Sequence, residues 1–307
     1  MVPLDAPRHS PPPSSRIHRI LTQHPLVSFF LLAYAFSWVM MIPVILWQWG
    51  VCQVDLSFAF VLKGYGPFLS AYIITRALEG RAGWLRLRGS IVRARVGWQW
   101  YLFVLLGVPL LYLLALLLMP GTIGSYHGVQ SRFALAYLVT LAQAIIAEGP
   151  LGEEPGWRGF ALPRMQPRFG PLRATLLLGL LWGFWHLPDF ATTNQGGGPG
   201  ADTVALASID FPLFILYVVA VSLVFTWVFN HTRSSVFIAI LLHASINAFP
   251  TVMALFPAPI VAGTNLPVLV GVAGPLLLVL VTRGRLGYDP SKKLPPGTAP
   301  RPPSPAP

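Results

Sequence analysis

Three of the four glutamates in this chain, Glu148, Glu153 and Glu154, fall within seven residues, in the run Glu148-Gly149-Pro150-Leu151-Gly152-Glu153-Glu154-Pro155-Gly156-Trp157-Arg158. The protein has only 10 acidic side chains in 307 residues, and this cluster closes an apolar stretch. Ionisable groups at a membrane segment cost several kcal/mol unless paired or used, so by default they mark a functional site. Glu154 and Arg158 are four apart, the spacing of an intrahelical ion pair. Glu153 is rotated by roughly 100° from Glu154 on a helix and faces elsewhere. Pro150 and Pro155 each remove a backbone donor and crowd the preceding turn, which predicts a kinked or broken helix here. Inside a membrane a broken helix is tolerated where it lines a cavity. The bland alternative is a surface cap where a helix meets the cytosol. Glu148 reads as a helix-packing partner rather than a catalyst.

Few other strongly polar groups interrupt the apolar stretches: Lys63, Gln143, His186, His243 and Asn247. His186 sits in Trp182-Gly183-Phe184-Trp185-His186-Leu187-Pro188, roughly 20 Å along a helix counted from Arg173. A neutral histidine with one hydrogen-bond partner can occupy such a place, and the tryptophans can belong to an interfacial belt. His243 and Asn247 share one helix face by their i, i+4 spacing, roughly 12 and 18 Å in from Ser235. Two adjacent donors aimed at one point can stabilise an oxyanion, or simply glue two helices together. Taken jointly they say more, because three apolar segments each contribute polar groups reachable from the cytoplasmic half. One difficulty stands: a straight count puts Glu153 near the inner surface and His186 deeper, so a span must be tilted, shifted or broken for them to meet.

The elements that position these groups follow from composition. Hydrophobic residues make up 54% of the chain and charged ones 10%, against about 25% charged in soluble domains. Mean hydropathy is +0.64. The reading is all-α: a polytopic membrane helix bundle with spans near 26–47, 57–76, 99–119, 133–150, 173–189, 210–229, 235–256 and 265–282. With the N-terminus inside, all of the 21 basic residues except Lys63 and Arg132 fall on the cytoplasmic side, as the positive-inside rule demands. Asp55, Asp189, Asp202 and Asp210 fall on outer loops. Both termini are then cytoplasmic, and the net charge of +11 reflects topology and anionic lipid rather than nucleic acid. The single Cys52 excludes an intrachain disulfide and a multi-cysteine metal site. Residues 1–25 read as a polar, Pro-rich tail before an uncleaved signal anchor. Residues 26–132 carry the first spans, with a basic amphipathic interfacial segment over 77–98. Residues 133–256 form the core that holds the polar groups, 257–283 hold the last span, and 284–307 read as a disordered Pro-rich tail.

Glu153-Glu154-x-x-x-Arg158, an aromatic four residues before His186, and His243-x-x-x-Asn247 together resemble the signature of the type II CAAX prenyl endopeptidases. The prokaryotic branch comprises the CPBP intramembrane proteases, including bacteriocin-processing and immunity proteins. The resemblance covers roughly residues 135–255. One position departs: the family's usual phenylalanine is Trp182 here, which implies a reshaped pocket wall. By resemblance, Glu153 activates a water, His186 holds that water or shuttles its proton, and His243 and Asn247 donate to the oxyanion. Glu154 and Arg158 match supporting positions. Glu153, His186 and His243 are also candidate ligands for a catalytic zinc, although there is no His-Glu-x-x-His run and Asn247 is a poor ligand; the glutamate-activated water is preferred. The implied protein is an intramembrane endopeptidase of a bacterial inner membrane, taking a membrane-associated peptide, prenylated or bacteriocin-like, from the cytoplasmic side. The competing readings are a non-proteolytic immunity or scaffold protein and a proton-coupled transporter. Intact motifs oppose the first, and the absence of inverted repeats opposes the second.

Overall fold

The computed structural model describes residues 16–117, 128, 131–193, 210–248, 251 and 266–291, and every regular element among them is helical. A short helix α1 (Arg16–Gln23) leads into α2 (Pro25–Gln48), which starts with Pro25 at its first turn, where the missing N–H leaves no bond unmade. α2 is apolar all round. Ser28, Phe29, Ala33, Ser37, Met41 and Val44 turn into the protein, while Val27, Leu31, Val39 and Ile42 stay exposed. A helix with apolar side chains on both its buried and exposed faces is one solvated by lipid.

The next two elements, α3 (Phe58–Gly64) and α4 (Gly66–Ile91), meet at Tyr65 with a 40° bend. Gly66 is needed there because a Cβ would overlap Ser37 Oγ on α2. The expected span at 57–76 is thus a broken one. α4 then departs from helical geometry at Gly80 (φ 60°, ψ −147°), a conformation natural only to glycine. Beyond that joint, residues 81–91 bury Leu87 and expose Leu85, with Arg81 and Arg88 beside them. After α5 (Trp98–Leu102), a π-turn over Phe103–Gly107 and α6 (Val108–Leu117) comes α7 (Phe133–Ala147).

The decisive break follows α7. Gly149 has φ +107°, and Pro150 opens α8 (Pro150–Gly156) at its N1 position. A π-turn over Trp157–Ala161 joins α8 to α9 (Leu162–Phe169), and the whole is bent by 51° against α7. The break therefore lies at Gly149–Pro150. Pro155 causes none, since the helix runs through it into the π-turn. α8 approaches the α3–α4 joint closely through two small residues: a Cβ on Gly152 would overlap the Gly64 carbonyl, and one on Gly156 would strike the Pro67 backbone. This is the small-xxx-small logic of helix contact in membranes.

Gly170 (φ 77°) and Pro171 then start α10 (Pro171–Trp185), which ends at His186 and continues as a 3-10 turn over Leu187–Ala191. α10 lies along α11 (Asp210–His231), with Gly179 seated against Val219 and Ser222. Arg233 and Ser234 both adopt positive φ, and Ser235 caps α12 (Val236–Asn247) by accepting from the Ile238 N–H at 3.2 Å. The last helix is α13 (Leu266–Thr282). After it the chain folds back: Leu286 is fully buried and its carbonyl accepts from Asn230, so the tail expected from residue 284 is packed at least to this point.

Among the described residues, Pro25–Gln48 and Phe211–His231 are long and apolar enough to cross a membrane alone. The two bent pairs, Phe58–Gly64 with Gly66–Ile91 and Phe133–Ala147 with Pro150–Phe169, raise this to as many as four. Helices also occupy the described parts of the remaining expected spans. The outermost parts of both tails, Asp202, and the ends of the spans expected at 99–119 and 235–256 lie outside the described residues.

Candidate functional site

Each polar group singled out by sequence sits at a place where a helix is interrupted or ends. Glu153 lies one turn into α8, immediately past the Gly149 break. His186 ends α10, where the helix tightens into the 3-10 turn. His243 and Asn247 occupy the last turns of α12. These four side chains line one cavity of about 490 Å³, together with Trp182, Glu148, Lys63 and Asp189. Its apolar wall includes Phe60, Trp185, Phe214 and Ile246.

Glu153 is 4% exposed. Its Oε2 accepts from Trp182 Nε1 at 2.6 Å and from Trp157 Nε1 at 3.3 Å. Glu154 points the other way and is fully buried. Its Oε1 accepts from Arg158 Nη1 at 3.1 Å and from His243 Nδ1 at 2.9 Å. The Arg158 guanidinium, itself fully buried, lies 4.1 Å from the ring centres of both Trp182 and Phe225 and reaches Ser222 Oγ at 3.4 Å. Arg158 is therefore no cytoplasmic loop charge, as the distribution of basic residues suggested. It is the buried counter-charge of Glu154, a role that suits its planar, weakly hydrated guanidinium.

These bonds fix the histidines. His186 Nδ1 faces the Trp182 carbonyl at 2.9 Å. A carbonyl only accepts, so Nδ1 carries the proton and Nε2 of the neutral ring keeps its lone pair. His243 Nδ1 likewise donates to the Glu154 carboxylate, so its Nε2 donates only when the ring is an imidazolium, with Glu154 as counter-charge. Asn247 gives one amide N–H to the Glu148 carbonyl at 3.1 Å and retains the other. Position within α10 is secured from α2: Tyr34 donates to the Leu181 carbonyl, and Trp38 Nε1 donates to the Trp185 carbonyl at 3.0 Å.

Residues 133–249 match the family model described as type II CAAX prenyl endopeptidase Rce1-like. That segment is similar to the Rce1-like family. It holds all three of the motifs that line the cavity. The chain is also similar to CAAX prenyl protease 2 of Methanococcus maripaludis, 32% identical over 96 residues. That match takes in 31% of this chain and 34% of the relative, so the chain spans about a third of the length of the curated protein it matches.

Two features of this Rce1-like segment and its surroundings escaped the sequence reading. Asp189, expected on an outer loop, is 3% exposed and paired with Lys63, which is 4% exposed. The 3-10 turn folds it back beneath His186 instead of releasing it to solvent. Lys63 Nζ also lies 4.0 Å from the centre of the Trp185 ring. The one available signal was mutual: a single lysine and a single aspartate, each bordering an apolar segment, call for a partner. Glu148, read as a packing residue, instead stands exposed on the cavity wall. As for the metal reading, no three His, Cys, Asp or Glu side chains among the described residues group closely enough to hold an ion. Glu153, His186 and His243 line the same cavity without converging as ligands.

Proposed function

We propose that this protein is an intramembrane endopeptidase in which Glu153 activates the attacking water. The observation that carries the reading is the convergence of Glu153, His186, His243 and Asn247 on one cavity. Glu153 takes a proton from water while His186 Nε2, an acceptor by its tautomer, holds that water's second hydrogen. The hydroxide oxygen bonds to the substrate carbonyl carbon, and the carbonyl π electrons move to its oxygen. His243 Nε2–H and the free Asn247 N–H receive the oxyanion, the kind of preorganised donation that supplies a large share of acyl-transfer catalysis. As the oxyanion collapses, the C–N bond breaks and the Glu153 carboxylic acid returns its proton to the departing amine. Glu154 serves as counter-charge to the His243 imidazolium and to Arg158.

The substrate is a peptide segment of a membrane-associated protein, reached from the cytoplasmic side on which the basic residues concentrate. The aromatic and aliphatic cavity wall suits an apolar segment. The name of the archaeal relative makes a prenylated peptide the first substrate to try. A bacterial inner membrane as the site of action rests on the motif resemblance to the prokaryotic CPBP proteases. The test is Glu153→Gln, inserted in the membrane at wild-type levels, with the fragments in the membrane proteome compared with those of wild type. Loss of specific fragments is expected. Fragments that persist unchanged would discard Glu153 as the base, and a lost phenotype with no fragment difference would favour a non-proteolytic role.

A further inference from the structure

The two oxygens of Glu153 are not equivalent. Oε2 carries two indole N–H groups, from Trp157 in the π-turn after α8 and from Trp182 in the last turns of α10. Oε1 has no hydrogen-bond partner among the described residues, and it faces Gly149, where a Cβ would overlap it. Both donors are held from outside. Trp157 is fully buried with its ring edge-on to Trp185 at 5.9 Å, and Trp182 is edge-on to Phe225 at 5.6 Å with Arg158 over its face. Neither ring can follow the carboxylate if it turns.

We propose that Trp182 and Trp157 form a two-indole clamp on Oε2 that leaves Oε1 as the oxygen that takes the proton from water. Trp182 is then a positioning residue as well as part of the pocket wall. It stands where the family pattern has phenylalanine, a smaller ring with no donor. In this chain the position has gained a hydrogen bond to the base. Hydrogen bonds to a charged acceptor are about twice as strong as neutral ones. A carboxylate tethered through one oxygen cannot exchange the roles of its two oxygens between turnovers. Gly149 completes the arrangement: its missing side chain leaves room for Oε1, and its φ of +107° turns the chain into α8.

The clamp rests on the reading of Glu153 as the base, and the experiment separates the two. The full-length protein, labelled with 15N at its 10 tryptophans, is observed in micelles through its indole N–H resonances. Two indoles, assigned by Trp157→Phe and Trp182→Phe, should move upfield in Glu153→Gln, because a carboxamide is the weaker acceptor. In the wild type, which needs no variant to fold, the same two should shift together on acidification with one midpoint, since they report one oxygen. Trp182→Phe should also slow the appearance of the wild-type fragments about tenfold, the worth of one charge-assisted bond. Indoles that ignore Glu153→Gln, or that titrate with separate midpoints, overturn the clamp even if Glu153→Gln abolishes cleavage. Conversely, indoles that respond as expected while Glu153→Gln still cleaves leave the clamp standing and remove the base.

Discussion

Breaking the Lys63–Asp189 pair should cost far more than removing it. Both side chains are at least 95% buried, one from α3 and one from the 3-10 turn after α10, and together they close the cavity beneath His186. Asp189→Leu leaves an ammonium with only the Trp185 and Phe60 rings for company. A cation over an aromatic face recovers about 2 kcal/mol when desolvated, well short of the charge it has lost. Removing one member of a buried pair costs about 3–5 kcal/mol. Lys63→Met is as severe, because Asp189 Oδ1 already has no partner among the described residues and Oδ2 then loses its own. The double variant Lys63→Met/Asp189→Leu removes both desolvation costs, and apolar replacements of buried pairs are often neutral or better. The expected coupling between the two sites is therefore on the order of 3 kcal/mol or more, with the double variant more stable than either single. Equilibrium unfolding in mixed micelles, titrated with a denaturing detergent and followed by tryptophan fluorescence, measures all four proteins. Single variants that lose under about 1 kcal/mol, or costs that simply add in the double, would refute the argument.

Three further outcomes follow from the site. Gly152→Ala drives a methyl group into the Gly64 carbonyl, which is backbone and cannot step aside; a loss of about 1–3 kcal/mol is expected in the same unfolding assay. Glu154→Gln removes the negative charge facing His243 and leaves the Arg158 guanidinium fully buried without its carboxylate, beside Ser222 and the Trp182 and Phe225 rings. Cleavage and about 3 kcal/mol of stability should both be lost, whereas a stable, active Glu154→Gln would show that His243 is positioned by something else. Exhaustive chelation of the purified protein should leave fragment production intact, because no three candidate ligands among the described residues group closely enough to hold an ion; activity restored only by added zinc would reverse that conclusion.

The four candidate groups named from sequence line one cavity, but hydropathy misplaced the boundary of the element that carries Glu153. Hydropathy ended the fourth span at 150 because Glu148, Glu153, Glu154 and Arg158 all look like the edge of a membrane. They are not an edge, since Glu154 and Arg158 satisfy each other in the interior and Glu153 is held by two indoles. Hydropathy scores residues singly and cannot see that two charges have cancelled. The helix runs on through Phe169, which moves the basic boundary to Arg164, Arg168 and Arg173. Counted from Arg168, Glu153 lies roughly 22 Å in, and His186 counted from Arg173 lies roughly 20 Å in. The mismatch of depth between these two residues disappears without any tilt. Asn247, roughly 18 Å beyond Ser235, arrives at the same level from α12. Asp189 was misplaced because a lone charge beside an apolar segment was assigned to solvent when its partner, Lys63, lay 126 residues away. The i, i+4 pairs were legible because a helix fixes its own neighbours. The pairings between helices were not, because they depend on the joints at Tyr65 and Gly149, and a glycine beside a proline foretells a bend without giving its direction.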